Sequence, residues 1–312
     1  MRIFLELPTW LGDCVMATAA IENLSKAYPD AKITFFGSPV SVALFKNHPL
    51  KERRIEDRSR KSFFRGANLY KEARNLGKFD FALSFRGSFY SKLLLFFTDA
   101  KRKFQYDKKE FIGHQVEKYC RFVNDSLDIS FPAGNLKLYF EKERFDRRML
   151  GLNPGATYGS AKRWYPKEFA KVAAELSDRF DILIFGSSSE REIAKDIEDE
   201  LIRLGVKNYR NLAGKTSIEE LIEKIAGLSL FITNDSGPMH IAAAFKVPTV
   251  AIFGPTKYKE TSPWGNDRAF IVRKELFCSP CMKRECPLKT HECMKSVTAK
   301  EVLDKIEEEK LY

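Results

Sequence analysis

Apolar residues in this chain fall in short blocks, each running into a polar turn and then a stretch of helical period. The pattern is plainest in the second half. Residues 228–233 form an apolar block that enters the turn Asn234-Asp235-Ser236-Gly237-Pro238-Met239-His240. An alanine-rich helical stretch over 241–245 and a second apolar block over 247–253 follow. Strand, tight turn, helix, strand is the repeating unit of a parallel α/β sheet. The opening of the chain reads the same way. Residues 2–8 suit a buried strand, and Thr9-Trp10-Leu11-Gly12-Asp13 turns the corner. Met16, Ala20, Leu24 and Ala27 then mark one face of a helix that Pro29 ends. Further strands are predicted over 31–36 and 79–85, and His114 opens a helix over 115–127 as a packing or capping residue.

Residues 132–148 are polar and charged, with no core pattern after Phe140, which places a linker there. A second series starts at 149–152. Its first turn is Asn153-Pro154-Gly155-Ala156-Thr157-Tyr158-Gly159-Ser160-Ala161-Lys162-Arg163-Trp164. Its first helix begins at Pro166, with Phe169, Val172, Ala173 and Leu176 facing inward. A strand over 181–185, the turn Gly186-Ser187-Ser188-Ser189-Glu190 and a helix to about residue 204 continue the series. Asn211-Leu212-Ala213-Gly214-Lys215-Thr216-Ser217 leads into a helix from Ile218. The predicted division is one domain over 1–145, a second over 146–296 and a closing helix over 297–312.

Length and charge narrow the classes. A chain of 312 residues accommodates two domains of ordinary size. Apolar runs such as 93–97 are far too short to span a bilayer. The N-terminus enters a strand with no signal-peptide core, so the cytoplasm is the expected location. A net charge of +11 favours an acidic partner without choosing among nucleic acid, anionic lipid and a phosphorylated substrate. Basic residues crowd at Lys51, Arg53, Arg54, Arg58, Arg60, Lys61 and Arg65, and again at Lys101, Arg102, Lys103, Lys108 and Lys109. Such runs are usually solvated faces. Here they flank a predicted strand, Lys92 and the apolar run over 93–97, which would suit a phosphorylated amphiphile at a membrane surface or, equally, nucleic acid.

Ligands of open α/β sheets bind beyond the carboxyl ends of strands, where these turns lie. In the turn at 234–240, Asp235 or Ser236 can cap the helix, Gly237 admits a ligand to the backbone, and the N–H groups form an anion site. The turn at 153–164 adds Lys162 and Arg163 to small residues, a second phosphate candidate. Glu190 is placed either to accept bonds from ribose hydroxyls or to cap its helix. With Gly214, four strand ends of the second domain would make a nucleotide-shaped rim. Asp13, in the first turn of its helix, is either an N-cap or a carboxylate able to take a proton from an attacking hydroxyl. Neither G-x-G-x-x-G nor G-x-x-x-x-G-K-[ST] occurs, which counts against dinucleotide and triphosphatase chemistry. No D-x-D pair is present to clamp a catalytic divalent metal. Cys278, Cys281, Cys286 and Cys293 are close enough to bind a structural zinc, or else are reduced thiols packing a loop. Cys14 and Cys120 are expected in the core.

The Gly12-Asp13 turn, the loop from Gly155 to Lys162 and the Asn234-Asp235-Ser236-Gly237-Pro238-x-His240 turn resemble the ADP-heptose:lipopolysaccharide heptosyltransferases of glycosyltransferase family nine. The resemblance runs over nearly the whole chain. Trp10-Leu11-Gly12-Asp13 and the cysteine stretch look most like its heptosyltransferase II branch. The family implies a GT-B fold of two Rossmann-like, doubly wound domains facing across a cleft. It implies that the first domain holds a lipid-linked inner-core acceptor and the second ADP-heptose, with the closing helix packing back on the first. By motif, Asp13 becomes the general base and Lys162 neutralises the diphosphate leaving group. Thr157, Lys162, Glu190, Gly214, Asp235, Ser236, Gly237 and His240 line the donor site, and Arg60, Lys61 and Lys92 are acceptor-side candidates. The implied reaction is inverting, metal-independent transfer of L-glycero-D-manno-heptose to the first heptose of the core, with no cofactor required. The expected setting is the inner face of the inner membrane, against anionic lipid, with no nucleic acid. A family member with another acceptor or nucleotide sugar is the near alternative, and a basic zinc-containing nucleic-acid-binding protein the distant one.

Overall fold

The computed structural model describes residues 1–59 and 64–312. The chain divides into two compact units, Met1–Tyr139 and Phe140–Tyr312. In the first, strands β1 (Arg2–Glu6), β2 (Lys32–Gly37), β3 (Lys51–Glu56), β4 (Lys78–Ser84) and β5 (Asp99–Gln105) form a parallel sheet in the order β3-β2-β1-β4-β5. Ile3, Phe4 and Leu5 of the central strand are fully buried, as expected of a strand covered on both faces. In the second, β6 (Met149–Asn153), β7 (Asp181–Ile184), β8 (Tyr209–Asn211), β9 (Leu230–Asn234), β10 (Thr249–Phe253) and β11 (Ala269–Arg273) form a parallel sheet in the order β11-β10-β9-β6-β7-β8. Both are doubly wound orders. The winding reverses between β1 and β4 in one unit and between β6 and β9 in the other, and that reversal opens a crevice at the carboxyl edge.

Three sequence expectations need correction. The two basic clusters contain edge strands, β3 and β5, because an edge strand can point lysine and arginine to solvent and still pair through its backbone. The opening helix is two, Leu11–Met16 and Thr18–Ala27, hinged at Ala17. The unit boundary falls at 139/140 rather than 145/146. Residues 140–145 join the second unit because the Glu143 N–H donates to the Glu223 carbonyl at 2.9 Å and Lys224 pairs with the Glu143 carboxylate at 2.7 Å. The closing helix, Ala299–Glu308, also belongs to the second unit, where Val302, Ile306 and Leu311 are buried in its main core. It lies against the Pro166–Leu176 helix, and the Glu168 carboxylate accepts the Ala299 N–H at 2.7 Å.

Cys14 and Cys120 are buried, as expected. His114 caps its helix: its Nδ1 accepts the Val116 N–H at 3.2 Å, and Glu117 reaches back to the His114 N–H at 2.9 Å. Among the described residues no helix is long and apolar enough to cross a membrane.

Candidate functional site

The four predicted turns of the second unit stand at successive strand ends, and their side chains stitch them into one rim. After β6, Asn153 Nδ2 donates to Ser236 Oγ at 3.0 Å and to Thr233 Oγ1 at 3.3 Å. Asn234, ending β9, answers from the other side. Its amide donates to the Pro154 carbonyl at 2.7 Å, and its Oδ1 accepts the Trp164 N–H at 3.0 Å. The two asparagines thus fix the turns after β6 and β9 across the point where the sheet reverses. Trp164, fully buried, anchors the end of the first loop by donating from Nε1 to the Val297 carbonyl at 2.9 Å.

That stitching brings Lys162 and Asp235 together. Their charged groups lie 2.6 Å apart with only 11% and 5% of the side chains exposed. Thr256, beyond β10, donates to the same Asp235 oxygen at 2.6 Å. The Tyr158 ring lies 5.3 Å from the Lys162 ammonium. Ser236 occupies the N-cap position of the Gly237–Ala244 helix but makes no capping bond, since its hydroxyl is engaged by Asn153. His240 is buried on this helix, whereas Thr157 is exposed at the loop crest.

The remaining two turns are joined to the rim. Gly155 is required by close approach, because a Cβ there would stand 2.3 Å from the Glu190 carboxyl. Glu190 is buried and accepts the Ser187 N–H and hydroxyl, each at 2.8 Å, so its capping role is realised. The Gly214 N–H donates to the Gly186 carbonyl at 2.8 Å, and its φ of +69° is one that glycine adopts readily.

In the first unit, Asp13 lies half-buried in the first turn of the Leu11–Met16 helix, above β1. Tyr119 is its neighbour: burial, then the Asp13 charge, push that phenol well above its usual range. A buried ionic group lies below it. Glu6, ending β1, accepts from Ser84 at 2.5 Å, Ser91 at 3.0 Å and Arg86 at 3.1 Å. Burial raises the Glu6 carboxyl above its ordinary value and Arg86 opposes the shift. Arg86 also lies 3.7 Å from Asp57. Lys92 is exposed on the Phe89–Phe97 helix, and Arg60 and Lys61 fall outside the described residues.

The cysteine stretch closes around the Lys162 loop. Cys278, Cys281, Cys286 and Cys293 line one cavity with Ala161, Pro255 and His291. Backbone N–H groups, His291 first, hold the Cys286 thiol below its usual value. Burial, then the three neighbouring thiols, push Cys293 up to about 11. All are free thiols, and no three His, Cys, Asp or Glu side chains among the described residues are already set as a metal cage.

Residues 69–292 match glycosyltransferase family 9 (heptosyltransferase). The chain belongs to glycosyltransferase family 9. This family 9 chain is 44% identical, over 97% of each sequence, to lipooligosaccharide heptosyltransferase 2 of Campylobacter jejuni serotype O:2. It is similar to the solved structure of Escherichia coli ADP-heptose LPS heptosyltransferase II, at 25% identity and TM-score 0.80, covering 99% and 98% of the two chains. The E. coli heptosyltransferase WaaC solved with ADP shares the fold at 20% identity and TM-score 0.80, covering 99% of this chain and 100% of that one. The fold class is therefore GT-B, and the chain is a glycosyltransferase.

Asn153, Asn234, Trp164 and Thr256 were given no role by sequence, although the two asparagines and Trp164 stood in the turns that were named. Thr256 has a readable signal, the Gly254-Pro255 pair that follows an apolar block. Glu6, Arg86 and Tyr119 had none, since each pairs with residues distant in sequence. The Lys162–Asp235 pair generates a stability prediction. Lys162→Met and Asp235→Asn should each destabilise the fold by about 3 kcal/mol, because each leaves an uncompensated, nearly buried charge. The double variant should recover at least about half of the summed loss. Denaturant titration of all four proteins checks this, and strict additivity would contradict it.

Proposed function

We propose that this family 9 enzyme transfers L-glycero-D-manno-heptose from ADP-heptose to the first heptose of the lipopolysaccharide or lipooligosaccharide inner core. The observation that carries the reading is the full-length match to a heptosyltransferase 2, which spans both units. The second unit takes ADP-heptose. Its rim of strand-end turns offers helix N–H groups and Lys162 to the diphosphate, with Thr157, Gly214, Ser236, Gly237 and His240 around the nucleotide sugar and Glu190 toward the ribose. The first unit takes the acceptor.

Chemistry follows from charge. The acceptor hydroxyl attacks the anomeric carbon as its proton passes to Asp13. The bond from that carbon to the diphosphate oxygen breaks on the opposite face, ADP leaves with the electron pair, and the centre inverts. In this reading Lys162 and the Gly237–Ala244 helix N-terminus meet the negative charge that develops on the leaving group; the buried Lys162–Asp235 pair beside that helix supports it, and transfer needs no catalytic divalent metal. Asp13→Asn should lower kcat by about 10²–10⁴ while ADP-heptose affinity stays within about twofold, because only proton transfer is lost. Near-normal turnover with donor bound would remove Asp13 as base.

The same reading places the first unit on the cytoplasmic face of a membrane. Phe89, Lys92 and Phe96 share one helix face, with Phe89 70% and Phe96 73% exposed, and Lys103, Lys108 and Lys109 are exposed in the same unit. Rings that enter lipid beneath lysines that meet anionic headgroups fit a lipid-linked acceptor. Replacing Phe89 and Phe96 by Ser should weaken cosedimentation with phosphatidylglycerol vesicles by about tenfold per ring. Unchanged binding would refute this membrane face.

A further inference from the structure

The segment between β11 and the Glu292–Lys295 helix has no sheet or helix of its own, yet it buttresses the Lys162 loop. The Ala161 N–H donates to the Arg284 carbonyl at 3.0 Å, and His291 Nε2 lies 2.9 Å from the Ala161 carbonyl. The Tyr158 hydroxyl donates to the Met282 carbonyl at 2.8 Å. Gly159 is pressed so closely on Arg284 that a Cβ would stand 2.2 Å from the Arg284 carbonyl oxygen. On its other side the segment holds the turn that carries Thr256. Ser279 Oγ donates to the Gly254 carbonyl at 2.6 Å and the Met282 N–H to the Pro255 carbonyl at 2.8 Å. Both turns that reach Asp235 therefore lean on an irregular loop, and an irregular loop of this length needs something to fix it.

Its own apolar side chains supply little of that: Leu276 packs against the core, but Phe277, Met282 and Leu288 are exposed at 97%, 43% and 48%. What converges instead is sulfur. The segment's three cysteines and Cys293 of the helix that follows border a single cavity of about 20 Å³, the size of one water or one ion. Thiols are poor partners for a water. Three of the four are only half-buried, unlike the core thiols Cys14 and Cys120. The His291 N–H already donates to the Cys286 sulfur at 3.3 Å, the kind of bond that stabilises a thiolate. Lys283, Arg284 and Lys289 lie in the same segment and would balance the −2 charge of four thiolates around a divalent ion.

We propose that Cys278, Cys281, Cys286 and Cys293 bind one structural metal ion, and that this clamp holds the Lys162 loop in its anion-binding shape. Four thiolates in tetrahedral array select zinc, or iron as the next choice. The sulfurs are not yet at coordination spacing, and side-chain rotation around the shared cavity closes the cage, releasing the thiol protons as the metal enters. The metal takes no part in the transfer. The effect on donor binding rests on the donor-site reading above, whereas the metal site does not.

The test uses the full chain purified under reducing conditions. Elemental analysis should find about one zinc or iron per chain, kept in Cys120→Ala and lost in Cys281→Ser and Cys286→Ser. Chelation of the wild type should weaken ADP binding by at least about tenfold, and Zn²⁺ alone should restore it, as expected when a preorganised loop is loosened and reset. A metal-free wild-type protein whose four loop thiols all react freely would overturn the site. Metal present but removable with no change in ADP affinity would overturn the clamp. A metal-loaded protein that binds no ADP would uphold the site and sink the donor reading. The wild-type measurements stand even if the serine variants fail to fold.

Discussion

The second unit is organised around one nearly dry ion pair, Lys162 with Asp235. Taking both charges out of water is costly, and their attraction offsets that cost only when geometry is good and the remaining lone pairs are satisfied. The structure supplies both conditions. Thr256 takes an Asp235 oxygen, and the asparagines at the ends of β6 and β9 pin the two loops that present the charges. The doubly wound order puts those strands side by side at its reversal. A lysine from one turn and an aspartate from the other, 73 positions apart, can therefore meet only because the sheet is wound this way. Under the proposed function a diphosphate competes with Asp235 for the same ammonium, so donor binding exchanges one charge-assisted contact for another rather than creating one in water.

The first unit repeats the device with different chemistry. Glu6, Arg86, Ser84 and Ser91 form a buried ionic group at the end of β1 and β4, again at the reversal. Asp13 stands above this floor, beside Tyr119. One crevice is thus built around a cation and helix N–H groups, the other around carboxylates. Under the proposed function the first arrangement meets the anionic leaving group and the second supplies the proton acceptor.

Much of this was legible in the sequence for a physical reason. Central strands of parallel sheets are buried on both faces and read as apolar blocks, so β1, β2, β4, β6, β7, β9 and β10 were visible. The edge strands of the first sheet are half-solvated and do not. β3 and β5 carry lysine and arginine in every register and looked like solvated charge runs. Turns at strand ends exposed their small residues and charges, which is why Lys162, Glu190 and Asp235 were singled out. What those turns do to each other was not legible. The asparagine stitching, the Thr256 bond and the approach of Glu190 to Gly155 depend on which strands neighbour, and local pattern does not contain that.

The central claim is that this chain moves heptose from ADP-heptose onto a heptose-bearing core. The most direct measurement is ADP release from ADP-heptose with EDTA present, with and without a lipid-linked acceptor that already carries one heptose. The account predicts release that depends on this acceptor, persists in EDTA and yields a product heavier by one heptose. A folded protein that binds ADP-heptose yet gives no acceptor-dependent release, or releases ADP only with divalent metal, would contradict it.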